Sequence, residues 1–103
     1  WMKYVYQENL PMFLKWATRV MGVSYDYDDP QLTVLEAIRR LEDYFRFLGI
    51  PTTMREMPDV GEVPAEIMYK MAKRVRLTNS NGTVGTVKQL NTEDIVNIFK
   101  LAQ

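Results

Sequence analysis

Apolar residues recur at steps of three and four through most of this chain, the spacing that lines one face of an α-helix. Met12, Phe13, Trp16, Ala17, Val20 and Met21 form a first stripe behind Pro11, a residue suited to the first helical turn, and Gly22 offers a C-terminal cap. Ahead of it, Trp1, Met2 and Val5 read as the last turns of a helix that begins upstream, interrupted at Asn9 to Pro11. The clearest helix follows Asp29-Pro30, an N-cap with proline at the first position. Its stripe is Val34, Leu35, Ile38, Leu41, Phe45 and Leu48, and Gly49 and Pro51 stop it. On its opposite face Glu36 with Arg40, and Glu42 with Arg46, are spaced to pair one turn apart, each pair worth about 0.2–0.5 kcal/mol.

Residues 52 to 63 are rich in Pro, Thr, Gly and acid and read as a connector with at most one short turn, around Met54 to Met57. Pro64 opens another helix with Ile67, Met68, Met71, Ala72 and Val75 inward; Lys70, Lys73, Arg74 and Arg76 suit its end, expected near Leu77. Thr78 to Gly85 shows no regular periodicity and is expected to be a flexible loop. Asn91 or Thr92 then caps a last helix, with Glu93 and Asp94 on its first turn and Ile95, Ile98, Phe99 and Ala102 facing inward. These patterns predict an all-α bundle of about four to five helices, one domain over residues 1–103, with no internal repeat.

Composition narrows the class. The chain's 103 residues fit one domain, 47% hydrophobic and 25% charged, the balance of an ordinary globular protein. Thirteen basic and thirteen acidic residues cancel without long blocks of either sign, which argues against nucleic acid and anionic membranes as partners. The longest apolar runs fall far short of the roughly 20 residues that span a bilayer. The absence of cysteine excludes a disulfide framework, and the expected location is cytoplasmic. The opening Trp1-Met2-Lys3 has neither an initiating methionine nor the features of a signal peptide, so the chain is read as a fragment of a longer one.

Candidate chemistry is thin. With no His and no Cys, zinc, copper and haem lose their usual ligands. Asp26, Asp28 and Asp29 resemble the start of a calcium loop, but the sixth-position glycine and twelfth-position glutamate are missing, which leaves capping and turn roles. Ser24 and Ser80 lack an activating histidine, and Glu62 and Glu66, one turn apart, have the spacing of a solvated surface pair. Gly82-Thr83-Val84-Gly85 invites comparison with phosphate cradles but lacks a following Gly-Lys-Ser/Thr, and Asn81-Gly82-Thr83 is a formal glycosylation sequon of no consequence in a cytoplasmic protein. No catalytic, cofactor-binding or metal-binding residue is assigned. The abundance of apolar helical faces is the main functional clue, since one face is in excess of what so short a chain needs for its own core.

Three stretches, read together, carry a family likeness: Trp1-Met2-Lys3-Tyr4-Val5; Phe13 to Val23, ending Ala17-Thr18-Arg19-Val20-Met21-Gly22-Val23; and Ala37-Ile38-Arg39-Arg40-Leu41-Glu42 through Leu48-Gly49-Ile50-Pro51-Thr52. With the closing Leu90-Asn91-Thr92-Glu93-Asp94-Ile95 through Ile98-Phe99, the chain resembles the iron-containing alcohol dehydrogenases, in their butanol-dehydrogenase-like branch. The resemblance implies a place at the end of a dehydroquinate-synthase-like helical domain. It also implies an upstream α/β domain for NAD or NADP, and an upstream metal site, Fe2+ or Zn2+, held by an aspartate and three histidines. No ligand carries over onto these residues, and the fragment is expected to be inactive alone, with Gly82, Thr83, Val84 and Gly85 near the parent's substrate cleft. Its expected partners are the rest of the parent chain and a second copy. The rival readings are a free-standing helical interaction module and, behind it, an enzyme built on carboxylates alone.

Overall fold

In the computed structural model, which describes residues 1–103, two compact units make up the chain, Trp1–Ile50 and Pro51–Gln103. All regular elements are helical, and the one β-type contact is an isolated bridge between Val84 and Leu90. No helix is long and apolar enough to cross a membrane.

The first unit begins with α1 (Met2–Val5), which tightens into a 3-10 turn, Tyr6–Asn9. Asn9 leaves the helical conformation, and its side chain accepts a hydrogen bond from the Met12 N–H, so the interruption expected at Asn9 to Pro11 is the cap of α2 (Leu10–Lys15). The stripe expected to continue as α-helix widens instead into a π-helical segment, Trp16–Val20, in which the Met21 N–H reaches the Trp16 carbonyl at 3.1 Å. Gly22 then takes a left-handed conformation (φ 67°), and the Val23 N–H bonds back to the Ala17 carbonyl at 3.0 Å. That reversal drops Val23 onto Ala17 and Ala37, with Trp16 and Met21 packed around the three.

Asp29 caps α3 (Pro30–Phe47) by accepting from the Gln31 N–H, with Pro30 at the first position as expected. The covering of this helix is uneven. Thr33, Val34, Ala37 and Ile38 are buried, whereas Leu35, Phe45 and Leu48 of the expected inward stripe are exposed. The reason is reach: α2 and the π segment pack along α3, and the buried residues all lie in its first half. Glu36 pairs with Arg40 as expected, while Glu42 reaches Lys3 and Arg46 reaches Asp43, because three-residue spacings and an incoming lysine compete with the i,i+4 geometry.

In the second unit, residues 51–63 form successive turns, Met57 N–H to Met54 carbonyl and Val60 N–H to Met57 carbonyl, one more than expected. α4 (Ala65–Lys73) follows Pro64 and ends four residues before Leu77. Its last bonds shorten to i,i+3 at Arg74 and Val75, where Lys70, Lys73, Arg74 and Arg76 crowd like charges at helical spacing. Met68 and Ala72 are buried but Ile67 and Met71 are exposed, because α5 (Thr92–Leu101) is the helix that packs on α4 and covers a narrow strip. A complete capping box starts α5: the Asn91 side chain accepts from the Asp94 N–H at 2.9 Å, and Asp94 accepts from the Asn91 N–H at 3.0 Å.

One buried polar side chain in the first unit offers a clean test. Thr33 is almost fully buried, and its hydroxyl oxygen accepts a hydrogen bond from the Asp26 N–H at 2.9 Å. Thr33→Val keeps the shape and strips the acceptor, so denaturant unfolding of the variant is expected to show a loss of about 1–3 kcal/mol.

Candidate functional site

The Gly82 to Gly85 stretch is tied down by polar side chains. Asn79 donates its side-chain amide to the Thr83 hydroxyl (3.1 Å) and the Gly85 carbonyl (3.0 Å), and its N–H bonds to the Thr83 carbonyl (2.8 Å). Asn81 donates to the Gln89 side chain at 2.7 Å, and Thr83 donates its hydroxyl to Asn81 at 2.6 Å. Val84 and Leu90 exchange both backbone bonds, at 2.9 and 2.8 Å, which buries Leu90 and delivers the chain to the Asn91 cap. The expected flexible loop is therefore a hydrogen-bonded turn, built from amide side chains that a periodicity search does not register. Gly82 and Gly85 are exposed, and both take positive φ, 75° and 102°, the conformation that the turn requires of them.

The aspartates of the calcium-like segment are spent on backbone. One Asp26 carboxylate oxygen accepts from the N–H groups of Asp28 and Asp29, both at 3.0 Å, and Asp29 caps α3. Glu62 and Glu66 do not act as a pair: Glu62 meets Arg55 and Glu66 meets Lys70, each at 3.4 Å. No group of three or more His, Cys, Asp or Glu side chains converges, so the donor set present here does not fit a metal ion.

Two open clefts are defined, one in each unit. In the first, about 430 Å³, Val23, Leu32 and Leu35 supply apolar walls while Ser24, Asp26, Glu36 and Arg39 supply polar ones. Arg39 grips Glu36 with two bonds, Nε to Oε2 at 2.8 Å and Nη2 to Oε1 at 2.7 Å, and reaches Asp43 at 2.6 Å; Arg40 adds a third contact to Glu36 at 3.3 Å. The hydrogen bonds from Arg39, reinforced by Arg40, hold the Glu36 carboxyl down at about 2, and the same partner raises Arg39. A carboxylate so strongly ionised is a poor proton acceptor, so Ser24 has no working base beside it. The second cleft, about 400 Å³, lies between α4 and α5 and presents Tyr69, Lys73, Thr92, Glu93, Asn97 and Lys100. Lys73 sits 4.6 Å over the Tyr69 ring. Neither cleft assembles a nucleophile with a base, or a ligand set. The tight Glu36–Arg39 pairing escaped the sequence reading, which favoured i,i+4 spacing and passed over the bidentate fit at i,i+3.

Comparison with known proteins supplies what these clefts do not. The chain is 36% identical over 101 residues to NADH-dependent butanol dehydrogenase A of Clostridium acetobutylicum, a match covering 97% of this chain and 24% of that protein. NADH-dependent butanol dehydrogenase B of the same organism is 28% identical over 102 residues, with 97% of this chain and 25% of the relative covered. A probable NADH-dependent butanol dehydrogenase 1 of Bacillus subtilis is 28% identical over 100 residues, with 97% and 24% covered. The likeness to butanol dehydrogenases read from the sequence is thus matched along nearly the whole chain, and the chain spans about a quarter of the length of these relatives. No protein-family model and no solved structure matches it.

Two outcomes follow from the geometry of these sites. A Cβ on Gly85 would stand 2.7 Å from the Lys88 carbonyl oxygen, in a conformation with positive φ, so Gly85→Ala is expected to lower unfolding stability by about 1–3 kcal/mol. Because the folded-state pKa of Glu36 lies below its ordinary value of 4.5, its ion pairs contribute fully above that value and are lost as pH falls toward about 2. Denaturation measured from pH 6 to 2 should therefore show a gap between wild type and Glu36→Gln that closes across that window, and a carboxyl titration by NMR should place Glu36 well below its ordinary value of 4.5.

Proposed function

We propose that this chain is the C-terminal helical portion of an iron-containing, NAD(H)-linked alcohol dehydrogenase of the butanol-dehydrogenase branch, a cytoplasmic enzyme that interconverts primary alcohols and aldehydes by hydride transfer. The observation that carries the reading is the 36% identity sustained over 97% of the chain, through both units, to a NADH-dependent butanol dehydrogenase. Two further relatives with the same named activity support it. The enzyme's metal, Fe2+ or Zn2+, would act as a Lewis acid toward the alcohol oxygen. The residues here do not fit that ion, so its aspartate and histidine ligands, and the nucleotide-binding domain, belong to sequence outside these 103 residues.

In this reading the 103 residues complete one helical domain of the parent and take no direct part in hydride transfer. The turn at Gly82, Thr83, Val84 and Gly85 borders the substrate cleft, held in shape by the Asn79 and Asn81 side chains. The rest of the parent chain is its partner, with homodimerisation a further mode of assembly.

The deciding experiment extends the coding frame upstream of Trp1 and expresses the longer product beside the 103-residue chain. The expected result is a metal-containing protein that reduces butyraldehyde with NADH, beside a short chain with neither metal nor activity. A frame that does not continue into a nucleotide-binding domain, or a longer product with no NADH-linked activity on alcohols or aldehydes, sinks the reading.

A further inference from the structure

α3 carries a main apolar ridge, but its own unit covers only half of it. At 18 residues the helix is about 27 Å long. Val34, Ile38, Leu41, Phe45 and Leu48 follow one another at three- and four-residue steps, with Ala37 beside them, so one continuous ridge runs from end to end. Along the first two turns that ridge is buried, with Val34 and Ala37 at 0% exposure. Farther on it emerges: Phe45 is 36% exposed, Leu48 50% and the adjoining Tyr44 55%.

The charges of α3 leave this ridge clear. Glu36, Arg39 and Asp43 bind one another, Glu42 is taken by Lys3, and Arg46 contacts Asp43. The outer half-ridge is therefore aromatic and aliphatic, with the Tyr44 hydroxyl as its polar edge. A phosphate backbone or an anionic surface has nothing to grip there, since both are recognised through Lys and Arg. An apolar helix face has everything it needs, because rows at i±4 seat in the grooves of a second helix at 8–10 Å.

We infer that the outer half-ridge of α3, centred on Phe45 and Leu48, is the seat of an apolar helix from the remainder of the same polypeptide. This inference rests on the dehydrogenase reading. The chain amounts to 24% of the length of its relative, so roughly three quarters of a comparable polypeptide lies outside it. A tethered segment meets this surface at an effective concentration that a separate protein does not reach. The order of burial fits: the unit's own helices cover Val34, Ala37 and Ile38, and leave Phe45 and Leu48 exposed.

The test uses the upstream-extended polypeptide, with the photo-cross-linker p-benzoylphenylalanine in place of Phe45 and, as a control, in place of Tyr27, which is 88% exposed and lies off the ridge. Cross-linked peptides are mapped by mass spectrometry, and NADH-linked butyraldehyde reduction is assayed on the same preparation. Links from position 45 to residues upstream of Trp1, at several-fold the yield seen from position 27, are the expected result. Links from position 45 to residues 51–103 or to a second copy, or a yield no higher than at position 27, overturn the inference. Upstream links in an inactive protein overturn only the dehydrogenase reading, and activity without such links overturns only the docking surface.

Discussion

The tight packing of Ala17, Val23 and Ala37 is the constraint on which the first unit depends. Both alanines are completely buried, so the π segment and α3 meet there through methyl groups, and a larger side chain at either position would overpack the contact. The closeness is secured from the backbone. The wider π turn, the left-handed Gly22 and the bond from Val23 N–H to the Ala17 carbonyl fold the chain back on itself, and Arg40 reaches from α3 to the Met21 and Gly22 carbonyls at 3.5 and 3.3 Å. One contact thus fixes which turns of α3 are covered. Its first half lies under the π segment and its second half runs on beyond it, and the exposed aromatic ridge is the direct consequence.

The second unit is held together by other means. Its buried hydrophobic residues are few, Met68, Ala72, Leu90 and Ile95, and a core of that size contributes little against chain entropy. Polar bonds to the backbone do much of the specifying instead. The Asn79 and Asn81 amides shape the turn, the Val84–Leu90 bridge sets where α5 begins, and the Asn91–Asp94 box starts it. The Met54 N–H bonds the Ala102 carbonyl at 2.7 Å, which fastens the turn-rich connector to the far end of α5. Order here resides in capping and turn chemistry, which acts locally and directionally, whereas the first unit is ordered by apolar packing.

This difference governs how much could be read from sequence. Asp29-Pro30, Gly22, Gly49 and Asn91 announced their caps and stops because each acts on backbone within a few residues of itself. Periodicity located the apolar face of α3 and of α4, but it reports only that a face is apolar. Whether Ile67, Met71, Phe45 or Leu48 is covered depends on what lies opposite, and that information is not local. The amide network of residues 79–90 was invisible for the same reason, since its Asn81–Gln89 bond joins residues eight apart with no hydrophobic signature. At the level of chemistry, the lack of histidine and cysteine was legible at once, as were the turn and cap roles of Asp26 and Asp29, whereas the particular N–H groups that Asp26 holds, those of Asp28 and Asp29, needed coordinates to see.

The residues through which the chain resembles the dehydrogenases are informative for what they do. Gly22 and Gly49 adopt positive φ, Pro51 follows the end of α3, and Asn91 with Asp94 opens α5. These are instructions to the backbone, placed at helix ends. A likeness built on such positions is evidence about the fold first, and it reaches function only through the longer protein that shares the fold. That is also why neither cleft needs a catalytic constellation for the reading to hold. On the proposed reading the hydride chemistry would be done elsewhere and the demand on this segment would be to present helical surfaces at the right spacing, of which the exposed outer ridge of α3 is the one its own unit leaves uncovered.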